Sequence, residues 1–142
     1  MSVDSACLKD EHVAISLWQG EVTHEQWIRN VARVLADPDL PTTSMHLVDL
    51  RSVDATTIGE PEIKDVVGFL QSQGERIKGR RIAIVATSEF NKSILFQRLM
   101  GHQFLNTIVF NELQTACTWL NLDAKRMERA IEDLRRKISG GT

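Results

Sequence analysis

The sequence predicts an α/β domain: a mixed sheet of about five strands in the order β-β-α-β-α-β-α-β-α, with flanking helices and a C-terminal helical extension. Three observations carry that expectation. Short apolar runs with period-two alternation are separated by longer stretches whose apolar residues recur at helical spacing. After the first two strands, each strand is reached through a helix, which argues a largely parallel sheet with an antiparallel N-terminal hairpin. The composition is ordinary for a globular chain, with 142 residues, 42% hydrophobic, 25% charged and a net charge of −2. That length suits one domain and buries enough surface to fold without a disulfide or a metal. Disorder and low complexity are excluded on composition.

Residues 5–9 (SACLK) and 12–18 (HVAISLW) read as two short strands around Asp10 and Glu11. In the second, Val13, Ile15 and Leu17 alternate with Ala14, Ser16 and Trp18, and Gly20 is expected to end it. Thr23, three residues before Gln26, opens a helix with a capping box. Trp27, Ile28, Val31, Val34 and Leu35 supply its buried face. Asp37 and Pro38 stop that helix, and Pro41 keeps the connection irregular. Residues 45–51 (MHLVDLR) form the third strand and lead into a polar stretch from Ser52 to Gly59. Pro61 suits the first turn of the next helix, whose face is Ile63, Val66, Val67, Leu70 and Ile77. Residues 81–86 (RIAIVA) make the most continuous apolar strand, expected at the centre of the sheet. Ser88 is expected to cap a helix carrying Ile94, Leu95 and Leu99, with Gly101 weakening its last turn. Residues 106–110 (NTIVF) are the last strand, and Leu113–Leu120 begins the last helix.

Four segments in this order carry a resemblance: GEVTHEQW after the second strand, LVDLRSV at the third, RRIAIVA at the fourth, and VFNELQTACTWL at the close. Together they resemble the bacterial SpoIIAA-like proteins, relatives of the STAS domains of anti-sigma-factor antagonists and sulphate transporters. The resemblance covers roughly residues 5–120, so a STAS-like domain is expected over 1–121 and a helical extension over 122–142. It implies a small mixed sheet with helices beside it, acting as a regulatory or ligand-sensing module rather than an enzyme. Signalling members carry an Asp-Ser-Ser-Gly turn opening the second helix, where a partner kinase phosphorylates one serine. Here that stretch reads Asp54-Ala55-Thr56-Thr57-Ile58-Gly59, so Thr56 and Thr57 alone offer hydroxyls and are the regulatory candidates.

The scan for catalytic motifs finds no HExxH, CxxC, Walker loop, GxGxxG or GxSxG. His12, His24, His46 and His102 are scattered, so neither a metal nor another cofactor is expected. Cys7 and Cys117 make no disulfide framework and fit a reducing cytoplasm, with Cys117 serving as a small hydrophobe on a helix face. No apolar run is long enough to span a membrane, and the first residues lack the apolar core of a secretory leader. Residues 1–75 hold 13 acids and 5 bases, residues 76–142 hold 6 acids and 12 bases. The basic cluster Arg76, Lys78, Arg80 and Arg81 surrounds Gly79, but without interleaved aromatics it reads as a solvated loop rather than a phosphate-binding patch. No nucleic-acid partner is expected.

In open α/β sheets, ligands gather outside the carboxyl ends of the parallel strands. Those ends supply Asp49 and Arg51, then Thr87 and Ser88, then Asn111. An Asp and a Thr/Ser so placed are similar to a phosphoacceptor receiver domain, yet the acidic pair for Mg²⁺ and the lysine are missing. Asp49 is therefore expected to take no phosphate. The favoured reading is structural, with Ser88 as a cap, Asp49 accepting backbone hydrogen bonds and Arg51 pairing with a carboxylate. A ligand at Ser88 and its helix start would be an anion. The expected function is a non-enzymatic regulatory or protein-interaction module with an unidentified protein partner. The alternative is a carrier or sensor of a small, lipid-like ligand held between sheet and helices.

Beyond residue 120 the apolar seam Leu113, Cys117, Leu120, Ala124, Met127, Ile131, Leu134 and Ile138 has a period of about 3.5. Asn121 and Asp123 favour a break into two helices. Met127, Ile131, Leu134 and Ile138 are expected to face a second copy of the chain in a homodimer. A helix packed back on its own domain explains the stripe equally well.

Overall fold

Alternation along the strands gives the sheet two apolar faces, and chain order decides which helices cover each. The computed structural model describes residues 2–39, 45–101 and 105–140; Pro41 and His102 lie outside them. A five-stranded sheet runs in sequential order, β1 (Val3–Leu8), β2 (Val13–Val22), β3 (Met45–Thr56), β4 (Arg80–Val85) and β5 (Leu105–Phe110). β1 is antiparallel to β2 and the remaining neighbours are parallel. Helices α1 (His24–Ala36), α2 (Glu60–Ser72) and α3 (Phe90–Met100) make the three crossovers, and α4 (Leu113–Leu120) and α5 (Ala124–Gly140) follow β5.

Successive crossovers step the same way along the sheet, so a common hand places α1, α2 and α3 on one face. Their core joins Trp18, Leu50, Ile84 and Val109 of the strands to Ile63, Val66 and Phe96 of the helices. The opposite face presents Val13, Ile15, Leu17, Leu47, Ala83 and Val85, and no crossover reaches it. Among the described residues α4 and α5 cover it, with Leu113, Cys117, Leu120, Met127, Ile131 and Leu134. Asn121, left-handed at φ 59°, ends α4, and Asp123 caps α5 by accepting from the Lys125 N–H at 2.9 Å. The expected break between the two helices is present.

This topology places the C-terminal stripe in the chain's own core rather than on an exposed face. Met127, Ile131 and Leu134 are at most 2% exposed within a single chain and Ile138 is 8% exposed, because the seam fills the second core. Those four side chains are not available as an interface. Three boundaries move furthest from the expectation. β2 passes through Gly20 to Val22, because glycine at φ +71° absorbs the register shifts flanking it. β3 runs on to Thr56, since Ser52–Thr56 still pairs with Gln19–Val22 after β4 has ended at Val85 opposite Asp49. Ile77 is not on α2: that helix ends at Ser72, and a 3₁₀ turn with Gly74 at φ +53° returns Ile77 to the core.

Candidate ligand-binding site

On the three-helix face, the strands carry Ala14, Ser16 and Trp18 on β2, His46, Val48 and Leu50 on β3, and Arg80, Ile82 and Ile84 on β4. Central strands of this kind are normally sealed. Here Val48 and Ile82 remain only partly buried, and an open cleft with a cavity volume of about 150 Å³ lies over them. Protein interiors seldom leave voids much larger than a water molecule. Trp27, Val31 and Val34 of α1 form one wall, and Ile63 and Leu70 of α2 with Phe96 of α3 form the other.

The cleft exists because α1 is tied to the sheet's edge. Ser16, the polar position in β2, and Asn30, the polar position on α1's inner face, meet Ser5 of β1. The Ser5 and Ser16 hydroxyls are 2.7 Å apart, and Ser5 donates to Asn30 Oδ1 at 2.7 Å. Arg33 extends the strap, donating to Asp4 at 2.8 Å and to Asn30 Oδ1 at 3.2 Å. Buried polar groups hold a position only where they find each other, so this cluster fixes α1 over β1 and β2 and away from β4. At the carboxyl end of the sheet, Trp27 closes edge-on to Trp18 (5.6 Å between centroids) and tilts against Phe96 (5.8 Å).

The opposite end is polar. His46 and Arg80 line it, and Arg76 of the preceding turn crosses to donate to the Leu35 carbonyl at the end of α1. Burial, reinforced by the Arg80 guanidinium, pushes the His46 pKa down from 6.5 to about 4. The unfolded imidazole takes its proton near 6.5 and the folded one only near 4, so the unfolded state is favoured as pH falls through that window. Denaturant melts between neutral pH and about pH 4 should show a loss approaching about 3 kcal/mol that His46→Gln removes. An unchanged slope in that variant would mean His46 does not carry it.

Asp49 and Arg51 lie on the other side of the sheet. Asp49 is fully buried; its Oδ1 accepts from the Arg51 backbone N–H at 3.0 Å and from Nε at 2.9 Å, and its Oδ2 accepts from Nη2 at 2.9 Å. That hydrogen bonding raises the Arg51 pKa. A carboxylate held this way has no face open to a phosphoryl donor. Incubation with acetyl phosphate and Mg²⁺ should add no phosphate by intact-mass analysis, and an adduct lost in Asp49→Asn would overturn this.

Ser88 does not cap α3. It is exposed in the turn before the helix, and Glu89 stands at the cap with its carboxylate 3.8 Å from Lys92. An acidic side chain at the helix start opposes the anion that a serine cap would favour. Thr56 and Thr57 also part company. Thr56 Oγ1 accepts from the Ile58 N–H at 3.0 Å and lines the carboxyl end of the cleft, whereas Thr57 is exposed. Thr57→Ala should change stability by less than about 0.5 kcal/mol; Thr56→Ala should cost about 1 kcal/mol for the lost hydrogen bond. Equal effects in thermal melts would contradict this division.

The basic cluster is divided by strand alternation. Arg81 points away from Arg80, donates to the Trp119 carbonyl at 3.1 Å and lies 5.7 Å from the Trp119 ring. Burial pushes the Cys7 and Cys117 thiols up to about 11, which leaves neither activated as a nucleophile at neutral pH. Among the described residues no group of three or more His, Cys, Asp or Glu is arranged to hold a metal ion, and no helix is long and apolar enough to cross a membrane. The alternative ligand expected between sheet and helices has a space on this face, but its lining was not read from the sequence, where Ser16 and Asn30, polar positions within apolar faces, were the visible signal.

No family model matches the chain, and no curated protein does. Three chains among solved structures match. One is an uncharacterised protein of the DUF3478 family with a SpoIIAA-like fold, from Shewanella loihica PV-4. It aligns with a TM-score of 0.52 and 17% identity over 83% of this chain and 91% of that one. At this identity the likeness speaks to fold alone.

Proposed function

Starting from a SpoIIAA-like fold that carries this cleft, we propose that the chain is a non-enzymatic binding module holding a small apolar molecule between the sheet and α1, α2 and α3. One observation carries the reading: central-strand residues Val48 and Ile82 stay only partly buried beneath a cavity of about 150 Å³. An apolar void of about 150 Å³ is large enough for a benzene-sized ligand. Leaving such surface open forgoes burial worth about 25 cal/mol per Å², which a ligand recovers on binding. Protein purified from cells should show non-protein mass in native mass spectrometry. Val48→Phe should fill the space, cost less than about 1 kcal/mol, and abolish that mass. Bare protein mass together with a costly Val48→Phe would mean the cleft is closed in solution.

Partner binding is the second reading, favoured by the exposed Asp54 and Ala55 at the end of β3 and the exposed Thr57 in the link to α2. Thr56, the last residue of β3, belongs both to this segment and to the cleft lining, so a ligand and a protein partner would touch adjacent residues. A regulatory role would follow from that adjacency.

A further inference from the structure

The cleft's lining is mostly apolar, and nearly all of its polar side chains are committed to protein partners. Ser16 and Asn30 belong to the strap, with the Ser5 hydroxyl 2.7 Å from Ser16 Oγ and 2.7 Å from Asn30 Oδ1. Thr56 Oγ1 accepts from the Ile58 N–H at 3.0 Å, and Ser93 Oγ donates to the Glu89 carbonyl at 2.9 Å. The charged groups are engaged too. Glu89 stands 3.8 Å from Lys92, and Arg80 donates through Nε to the Arg76 carbonyl at 2.9 Å. No described residue hydrogen-bonds the imidazole of His46 or the indole N–H groups of Trp18 and Trp27. An indole only donates, whereas a neutral imidazole carries one donor and one acceptor.

We propose that the ligand is a small uncharged alcohol or phenol, its hydroxyl paired with His46 and its apolar body laid over Val48 toward Trp27. This deepens the cleft reading above and rests on it. His46 stands in one row of the sheet between Ala14 of β2 and Ile82 of β4, with Val48 two residues further along the same face. A hydroxyl both donates and accepts, so it pairs with whichever imidazole nitrogen meets it, in either tautomer. The low pKa of His46, about 4, keeps the ring neutral at physiological pH and so preserves its acceptor. A charged ligand fares worse, because a desolvated charge needs a counter-ion and the carboxylate and cations of the lining are already engaged. The positive charge of Arg80 beside His46 further opposes an ammonium group there.

Benzyl alcohol, toluene, benzoate and benzylammonium share a ring and differ in the group it carries, and calorimetric titration of the full chain, stripped of bound molecules, ranks them. Benzyl alcohol should bind at least about tenfold tighter than either ion. Equal or tighter binding of benzoate or benzylammonium overturns the uncharged class and leaves the cleft reading standing. In the wild-type chain, isotope-labelled at its histidine nitrogens, benzyl alcohol should shift the His46 imidazole resonances and toluene should leave them nearly unmoved. His46→Leu should weaken benzyl alcohol about fivefold and leave toluene bound no more weakly. The resonance comparison needs no variant, so a poorly folding His46→Leu leaves the test intact. Unmoved His46 resonances with benzyl alcohol bound, or an equal loss of both compounds in His46→Leu, overturns the hydroxyl pairing. Binding of toluene without benzyl alcohol does the same. No binding of any of the probes overturns the cleft reading as well.

Discussion

Removing residues 122–142 should leave a chain that does not fold. Met127, Ile131, Leu134 and Ile138 lie in one core with Val13, Ile15 and Leu17 of β2, and burying four such side chains contributes on the order of 6–12 kcal/mol. A domain of this size is stable by roughly 5–15 kcal/mol in total. The deletion also uncovers the β1 and β2 surface beneath α5, which would then face water as an apolar patch. Loss of a cooperative thermal transition, with insoluble expression or a circular dichroism spectrum lacking native signal, is the expected result. The milder Leu134→Ala should cost about 2–5 kcal/mol in denaturant melts. A truncated chain that sediments as a folded monomer would show that α5 is dispensable to the core.

The period of the C-terminal stripe was plain in the sequence, but a seam has no address until topology supplies one. Three crossovers of one hand place three helices on a single face, and that count leaves the other face to whatever follows β5. The same limit applies at Ser88, where a good cap residue precedes a helix by two positions because the chain turns first. The capping box at Thr23 was legible because it is local: the Gln26 N–H reaches Thr23 Oγ1 at 3.2 Å and Gln26 Oε1 accepts from the Thr23 N–H at 2.9 Å. The presence of the strands followed from apolar patterning in the same local way, and their mostly parallel pairing from the helices between them. The ends of β2 and β3 did not, because each is extended by its partner rather than by its own residues. The cleft was the least visible feature. An apolar face on α1 reads the same whether it seals against β4 or stands off from it, and a cluster of five side chains on three elements decides which.

The Asp49–Arg51 pair separates two ways of breaking a buried ion pair, and the loss should be unequal. Asp49 has a fully buried side chain, whereas the Arg51 side chain is 30% exposed. Arg51→Met strands a carboxylate among Leu17, Leu47 and Val85 with one backbone donor left, and should cost about 3–5 kcal/mol. Asp49→Leu instead frees a guanidinium that already reaches water and can turn outward, so it should cost less, about 1–3 kcal/mol. The double variant should recover much of the larger loss, because replacing both partners removes the stranded charge along with the pair. Urea melts of the four proteins in a double-mutant cycle measure this directly. Equal single losses that simply add would mean that Asp49 holds the strand by packing, and that its carboxylate gains nothing from the arginine beside it.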